Sequence, residues 1–195
     1  MDISSATWQV AVEAAGIWPS VVELGPRQTF YLLTYHRSDG EDRVLTVGSR
    51  TCRFHDLDSL SLFLLGPHTG VPSDVHLALE VLTALSPQGL APELFPRTLV
   101  EQSLHWISGG PMLTTEGQIQ RLLDTLAFLN DWHDSLNDTG MVAGWPEELD
   151  DAAEVLADAV VTHSITILEA ASRLQQRNLQ PVLDREVTRL LQWSD

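Results

Sequence analysis

Three local groupings in this chain carry residue types capable of chemistry: the dipeptides His55-Asp56 and His133-Asp134, and Cys52 set between Arg50 and Arg53. A His-Asp pair is used by one class of metal-dependent phosphohydrolases, but that chemistry needs further His and Asp side chains from other helices. His133 and His163 both fall on apolar helical seams and so resemble paired ligands. In an antiparallel helical hairpin, however, His133 faces the neighbourhood of Ala153, which leaves the two imidazoles roughly 15 Å apart at about 1.5 Å rise per residue. Core histidines satisfied by backbone carbonyls are the expectation, with His163 a seam residue between Val160 and Ile167. Flanking arginines would lower the pKa of Cys52. In a strand, though, Arg50, Cys52 and Phe54 share one face while Arg53 and His55 take the other, so His55 is poorly placed as a base and the thiol is expected to be structural. The acids contain no calcium-loop pattern of alternating Asp or Asn ending in Glu. No lysine occurs, which removes the P-loop, Schiff-base and lysine-base mechanisms. No cofactor follows from these residues.

Charge is the stronger signal. Twenty-seven Asp and Glu face eleven arginines for a net charge of −16, and the stretch from Glu116 to Asp158 carries acids almost without relief, Arg121 being its one arginine. Such a surface disfavours nucleic acid and anionic membranes and suits a basic protein partner. Glu147, Glu148, Asp150 and Asp151 open a helix, where the macrodipole favours carboxylates; Asp131, Asp134 and Asp138 crowd the end of the preceding one, where it opposes them. A short turn between the helices would gather these seven acids around the loop from Thr139 to Pro146, which also carries Met141, Val142 and Trp145, with Phe128 and Trp132 nearby. Apolar anchors rimmed by charge are the usual anatomy of a binding surface. Asp131, Trp132, Asp134, Asp138, Trp145, Glu147, Glu148 and Asp151 are therefore the expected partner-binding residues, the competing expectation being that either tryptophan folds inward as core. The function expected is a non-enzymatic interaction module of the inhibitor, immunity, adaptor or chaperone kind that binds a basic partner, one version being mimicry of a nucleic-acid backbone. The alternative is a metal-dependent hydrolase using His and Asp across the bundle.

The elements that must position these residues read as α+β. Residues 1–66 predict a small module: a helix over residues 5 to 15 ended by Gly16, a β-hairpin with arms at Thr29 to Tyr35 and Val44 to Val47, a third strand from Thr51 to Phe54, and a helix capped by Asp56 or Asp58. Gly66-Pro67-His68-Thr69-Gly70 reads as a linker, after which strand signals end. Residues 71–195 predict a helical bundle, alone or packed with the first module as a single domain. It comprises a helix capped by Ser73, one opened by Pro96 and running to about Ile107, and a break at Gly109-Gly110-Pro111. A long helix capped by Thr114 or Thr115 follows, with Ile119, Leu122, Leu126, Leu129, His133 and Leu136 as its seam. Next comes a helix of roughly eight turns from Leu149 to Leu174, its face at Val161, Ile165 and Leu168 covered, and then a short helix opened by Pro181. One cysteine, no signal-peptide pattern and no membrane-length apolar run point to the cytoplasm.

Overall fold

The computed structural model describes residues 5–25, 28–37, 39–72, 75–85, 95–107 and 113–193. It is an α+β structure, a small β-sheet region followed by a mostly helical part. The expected Ser73 cap and the Gly109-Gly110-Pro111 break lie outside the described residues.

Helix α1 (Ser5–Ala15) stops at Gly16, whose φ of +64° is the left-handed geometry glycine adopts without strain. The chain then enters β1 (Ile17–Gly25), a strand absent from the sequence reading, which pairs antiparallel with β2 (Gln28–His36). Its signal was the Ile17-Trp18 and Val21-Val22 pairs, obscured by Pro19. The predicted hairpin forms between β2 and β3 (Asp42–Val44). Beyond Leu45 the chain leaves the main sheet and makes a two-stranded ladder of β4 (Thr46–Val47) and β5 (Arg50–Thr51), so the third strand is shorter than expected, with Phe54 joined to Tyr31 by an isolated bridge. Asp56 caps α2 (Leu57–Leu65) in a reciprocal box with Ser59, which holds the Asp56 carboxyl below its ordinary pKa.

Strand signals do not end at residue 66. After α3 (His76–Leu85), residues Arg97–Leu99 form β6, which lies parallel to β1 and completes the order β3-β2-β1-β6. The helix expected to open at Pro96 starts at Val100 instead, as α4 (Val100–Ile107). Two prolines set where the β1–β6 ladder begins. Val21 N–H donates to Pro96 O at 2.8 Å, and the rung before it would need N–H groups from residues 19 and 96, neither of which has one.

The sheet is buried on both faces. Val22, Phe30, Leu32 and Val44 pack with the helices that follow β6, whereas Ile17, Val21, Leu33 and Tyr35 pack with Trp8 and Val12 of α1, Leu60 and Leu64 of α2, and Leu79 and Leu82 of α3. This is the two-residue alternation of strands expressed twice, which is why β2 reads as a nearly continuous apolar run.

The helical part opens with α5 (Glu116–Asn137), capped by Thr115 with Gln118 closing the box, and all six predicted seam residues are buried. The predicted eight-turn helix is two helices, α6 (Glu147–Val160) and α7 (Ile167–Gln175), with the chain broken between them. Thr162 Oγ1 and Ser164 N both donate to Asp158 O, at 3.1 and 2.9 Å, and His163 takes φ +52°. Hydroxyl side chains competing for helix carbonyls, in a β-branched run, end α6, and Thr166 caps α7. His163 is consequently exposed instead of core, and Val161 and Leu168 are exposed instead of covered. The apolar seam continues through the break because Leu156, Val160, Ala170 and Leu174 join the same core. Finally α8 (Gln180–Gln192), with Pro181 in its first turn, packs against α4, α5 and α6, burying Leu183, Val187 and Leu190.

Candidate functional site

The expected acidic tip divides into two parts that differ in their partners. At the end of α5, Asp138 is met by the β2–β3 hairpin: Arg37 Nη1 donates to its Oδ2 at 2.8 Å and Arg43 Nε approaches the same oxygen at 3.4 Å. The Arg43 side chain is 11% exposed and also donates to Asp42 O at 2.8 Å. Burial opposes its charge, but the hydrogen bond to Asp138 and the fields of Asp134, Asp138 and Glu41 outweigh that and raise its pKa. Val44 N–H donates to Ser135 Oγ, which donates in turn to Asp131 O, so the end of α5 is fastened to the sheet as well as paired with it. Two hairpin arginines thus supply Asp138 with the compensation that the helix dipole withholds.

Asp131 lies where burial, and secondarily the charge of Asp42, push its carboxyl up to about 7, with Arg43 offsetting part of the rise. Asp134 sits beside Asn130 Nδ2 and His133 Nδ1, each 3.5 Å from a carboxylate oxygen.

Trp132 takes the inward alternative. It is fully buried, its indole N–H donates to Thr51 Oγ1 at 2.8 Å, and it packs against Phe30 and Phe128 with ring centroids 6.0 and 6.3 Å away. It cannot serve as a surface anchor in this structure. Trp145 is half-buried, its ring edge-on to His133 with centroids 5.5 Å apart. Val142 is buried and Met141 half-buried, so the loop folds its apolar residues back onto the helices.

His133 is a core histidine with its Nε2 2.6 Å from Ala143 O, which ties the loop to α5. Glu186 of α8, buried although charged in type, stands with Oε1 3.8 Å from the same nitrogen and Oε2 3.4 Å from Arg189. Sequence reading missed Glu186; its place among Leu183, Val187 and Leu190 on one helical face was the available signal. Among the described residues no group of three or more His, Cys, Asp or Glu is placed to hold a metal ion. His55 is exposed and its neighbour Asp56 is occupied as a helix cap. Burial pushes the Cys52 thiol up to about 12, so the flanking arginines do not make it a nucleophile.

The second part of the tip is α6. Leu149, Ala152, Val155, Leu156 and Ala159 face the core, and Glu147, Glu148, Asp150, Asp151 and Glu154 are exposed. Arg177 pairs with Asp151 at 3.0 Å. Among the described residues no ion pair reaches Glu147, Glu148, Asp150 or Glu154. This half of the tip is an open anionic face on α6.

No family model matches the chain, and no curated protein matches it. Among solved structures, the C-terminal domain of SatS, crystallised in complex with bromine, is similar with a TM-score of 0.61 and 18% identity over 94% of this chain and 95% of that one. That likeness is one of fold.

Proposed function

We propose that this protein is a non-enzymatic interaction module, of the inhibitor, immunity, adaptor or chaperone kind, that engages a basic protein surface in the cytoplasm through the exposed acids of α6. The observation that carries this reading is the contrast in pairing: Asp138 is neutralised by Arg37 and Arg43, while Glu147, Glu148, Asp150 and Glu154 stand exposed and unpaired among the described residues. The partner-binding set is accordingly Glu147, Glu148, Asp151 and the half-buried Trp145, joined by Asp150 and Glu154. Carboxylates one helical turn, about 5.4 Å, apart suit a surface that otherwise meets spaced phosphates, which is the form nucleic-acid mimicry would take. Direct nucleic-acid binding is not part of the proposal, since eleven arginines among twenty-seven acids make no basic stripe. No helix among the described residues is long and apolar enough to cross a membrane.

The test is capture of partners from native lysate by the parent chain and by a Glu147→Gln, Glu148→Gln, Asp150→Asn, Glu154→Gln variant, at low and moderate salt. A basic protein retained by the parent at low salt, depleted at moderate salt and absent from the variant supports the reading. Identical capture by parent and variant removes it.

A further inference from the structure

Five of the exposed large apolar side chains among the described residues, Val10, Leu62, Leu65, Leu77 and Val81, lie on α1, α2 and α3; the other two, Val161 and Leu168, flank the break between α6 and α7. Single apolar side chains on a surface need no explanation, but a concentration of them marks an interaction site.

Along α2, Leu60 and Leu64 are fully buried, while Leu62 and Leu65, three residues apart on the outer face, are 71% and 61% exposed. Along α3, Leu79 and Leu82 are fully buried, and Leu77 and Val81, one turn apart, face outward, Leu77 at 76% exposed. Each helix is thus apolar on its outer face as well as its inner one, with one acid apiece, Asp58 and Glu80, and no arginine. A helix apolar all round belongs in an interior. The outer face of α6, by contrast, is acidic. Thr83 Oγ1 of α3 donates to Leu64 O of α2 at 2.6 Å and so ties the two helices together, and α1, which carries Val10, also packs on α3.

We infer that the outer face of α2 and α3 is a docking surface for an amphipathic helix of a partner, apolar on the side that meets Leu62, Leu65, Leu77 and Val81 and basic along its flanks. Charge selects this occupant. Asp58 stands one turn before Leu62, and Glu80 one turn after Leu77, so an exposed carboxylate borders each apolar stripe. Among the described residues no ion pair reaches either acid. A second copy of this chain is disfavoured, because its matching face would bring acid to acid and one net charge of −16 to another. An amphipathic helix presents apolar anchors three to four residues apart, the same spacing as the stripes it meets here. The inference shares a basic partner with the α6 reading but uses a different surface and does not depend on it.

The experiment titrates the full chain with three synthetic peptides of about 18 residues, long enough to hold a helix. The first has leucine at every third or fourth position with arginine flanking that stripe, the second shuffles the same residues so that no stripe forms, and the third replaces arginine by glutamate. Fluorescence anisotropy is expected to show binding of the first, at least about tenfold weaker binding of the second, and none of the third. Leu62→Gln and Leu77→Gln, both at exposed positions, should each weaken the first peptide about tenfold while the melting temperature holds. Asp58→Asn combined with Glu80→Gln should weaken it about threefold at low salt and less at moderate salt. The α6 variant described above should bind the first peptide nearly as the parent does, so the two surfaces fail or succeed separately. Equal binding of the ordered and shuffled peptides, or binding unchanged in both leucine variants, would overturn the inference. A dimer in sedimentation that Leu77→Gln disperses, or attachment to neutral phosphatidylcholine vesicles that the same variant abolishes, would overturn it too, by assigning the face to a second copy or to lipid.

Discussion

The end of α5 and the start of α6 are alike in composition and opposite in circumstance. Both carry acids at near-turn spacing, yet Asp131, Asp134 and Asp138 lie against the β2–β3 hairpin and its arginines, while Glu147, Glu148, Asp150 and Glu154 face outward. The helix dipole sharpens the contrast, since it opposes the first group and favours the second. At the unfavourable end the fold brings Arg37 and Arg43 to Asp138, and at the favourable end Glu147, Glu148, Asp150 and Glu154 stand without an ion pair among the described residues. Local tolerance of a charge and its availability to a partner therefore coincide here.

Three single substitutions and the quadruple α6 variant bear on that contrast. The largest expected effect is Trp132→Ala, which empties a fully buried site and strands Thr51 Oγ1; a loss of about 3–5 kcal/mol in denaturant unfolding is expected, against a much smaller loss for the half-buried Trp145→Ala. Equal losses would mean that the α5 end and the loop are not distinct in packing. Next is Arg43→Met, which withdraws a nearly buried guanidinium from Asp138 and Asp131 and should cost about 2–3 kcal/mol at neutral pH. A neutral result there would show that the hairpin arginines do not compensate the aspartates.

The third is pH-dependent. The folded pKa of Asp131, about 7, lies above its unfolded value of 3.8, so its contribution to stability is full below the unfolded pKa and is lost as pH rises through 7. Asp131→Asn should therefore exceed the parent by about 1–2 kcal/mol above pH 7, a figure reduced for solvent screening of a half-exposed group, and match it near about pH 4. A constant difference across that window would assign the effect to something other than titration. The smallest stability effect is expected of the α6 quadruple variant, a change below about 1 kcal/mol, because lost dipole stabilisation is offset by relieved repulsion. Thermal unfolding that drops sharply in this variant would place those acids among structural residues.

Capping and punctuation were legible from local sequence: Gly16 after α1, Asp56 before α2, Thr115 before α5 and Pro181 in α8 all act within a few residues of where they stand. The α5 seam was legible for the same reason, as was His133 as a core residue bonded to a carbonyl. The break at residues 161–166 was encoded locally too, in Val160-Val161-Thr162 and Ser164, but the apolar spacing runs through it because both helices join one core, and periodicity masked the hydroxyls.

What the amino-acid sequence determined by itself was therefore the set of local choices: the caps, the turns, which residues face inward on α5, and an acidic surplus that must sit largely on the outside. Tertiary structure alone decided that Arg97–Leu99 would join β1 as a parallel strand, that Trp132 would reach Thr51, and that Arg37 and Arg43 would meet Asp138 across about a hundred residues of chain. The physical reason is range. Hydrogen bonds within a helical turn and alternation along a strand act between near neighbours, whereas the partner of a buried indole or a desolvated carboxylate comes from whichever distant segment the packing brings alongside.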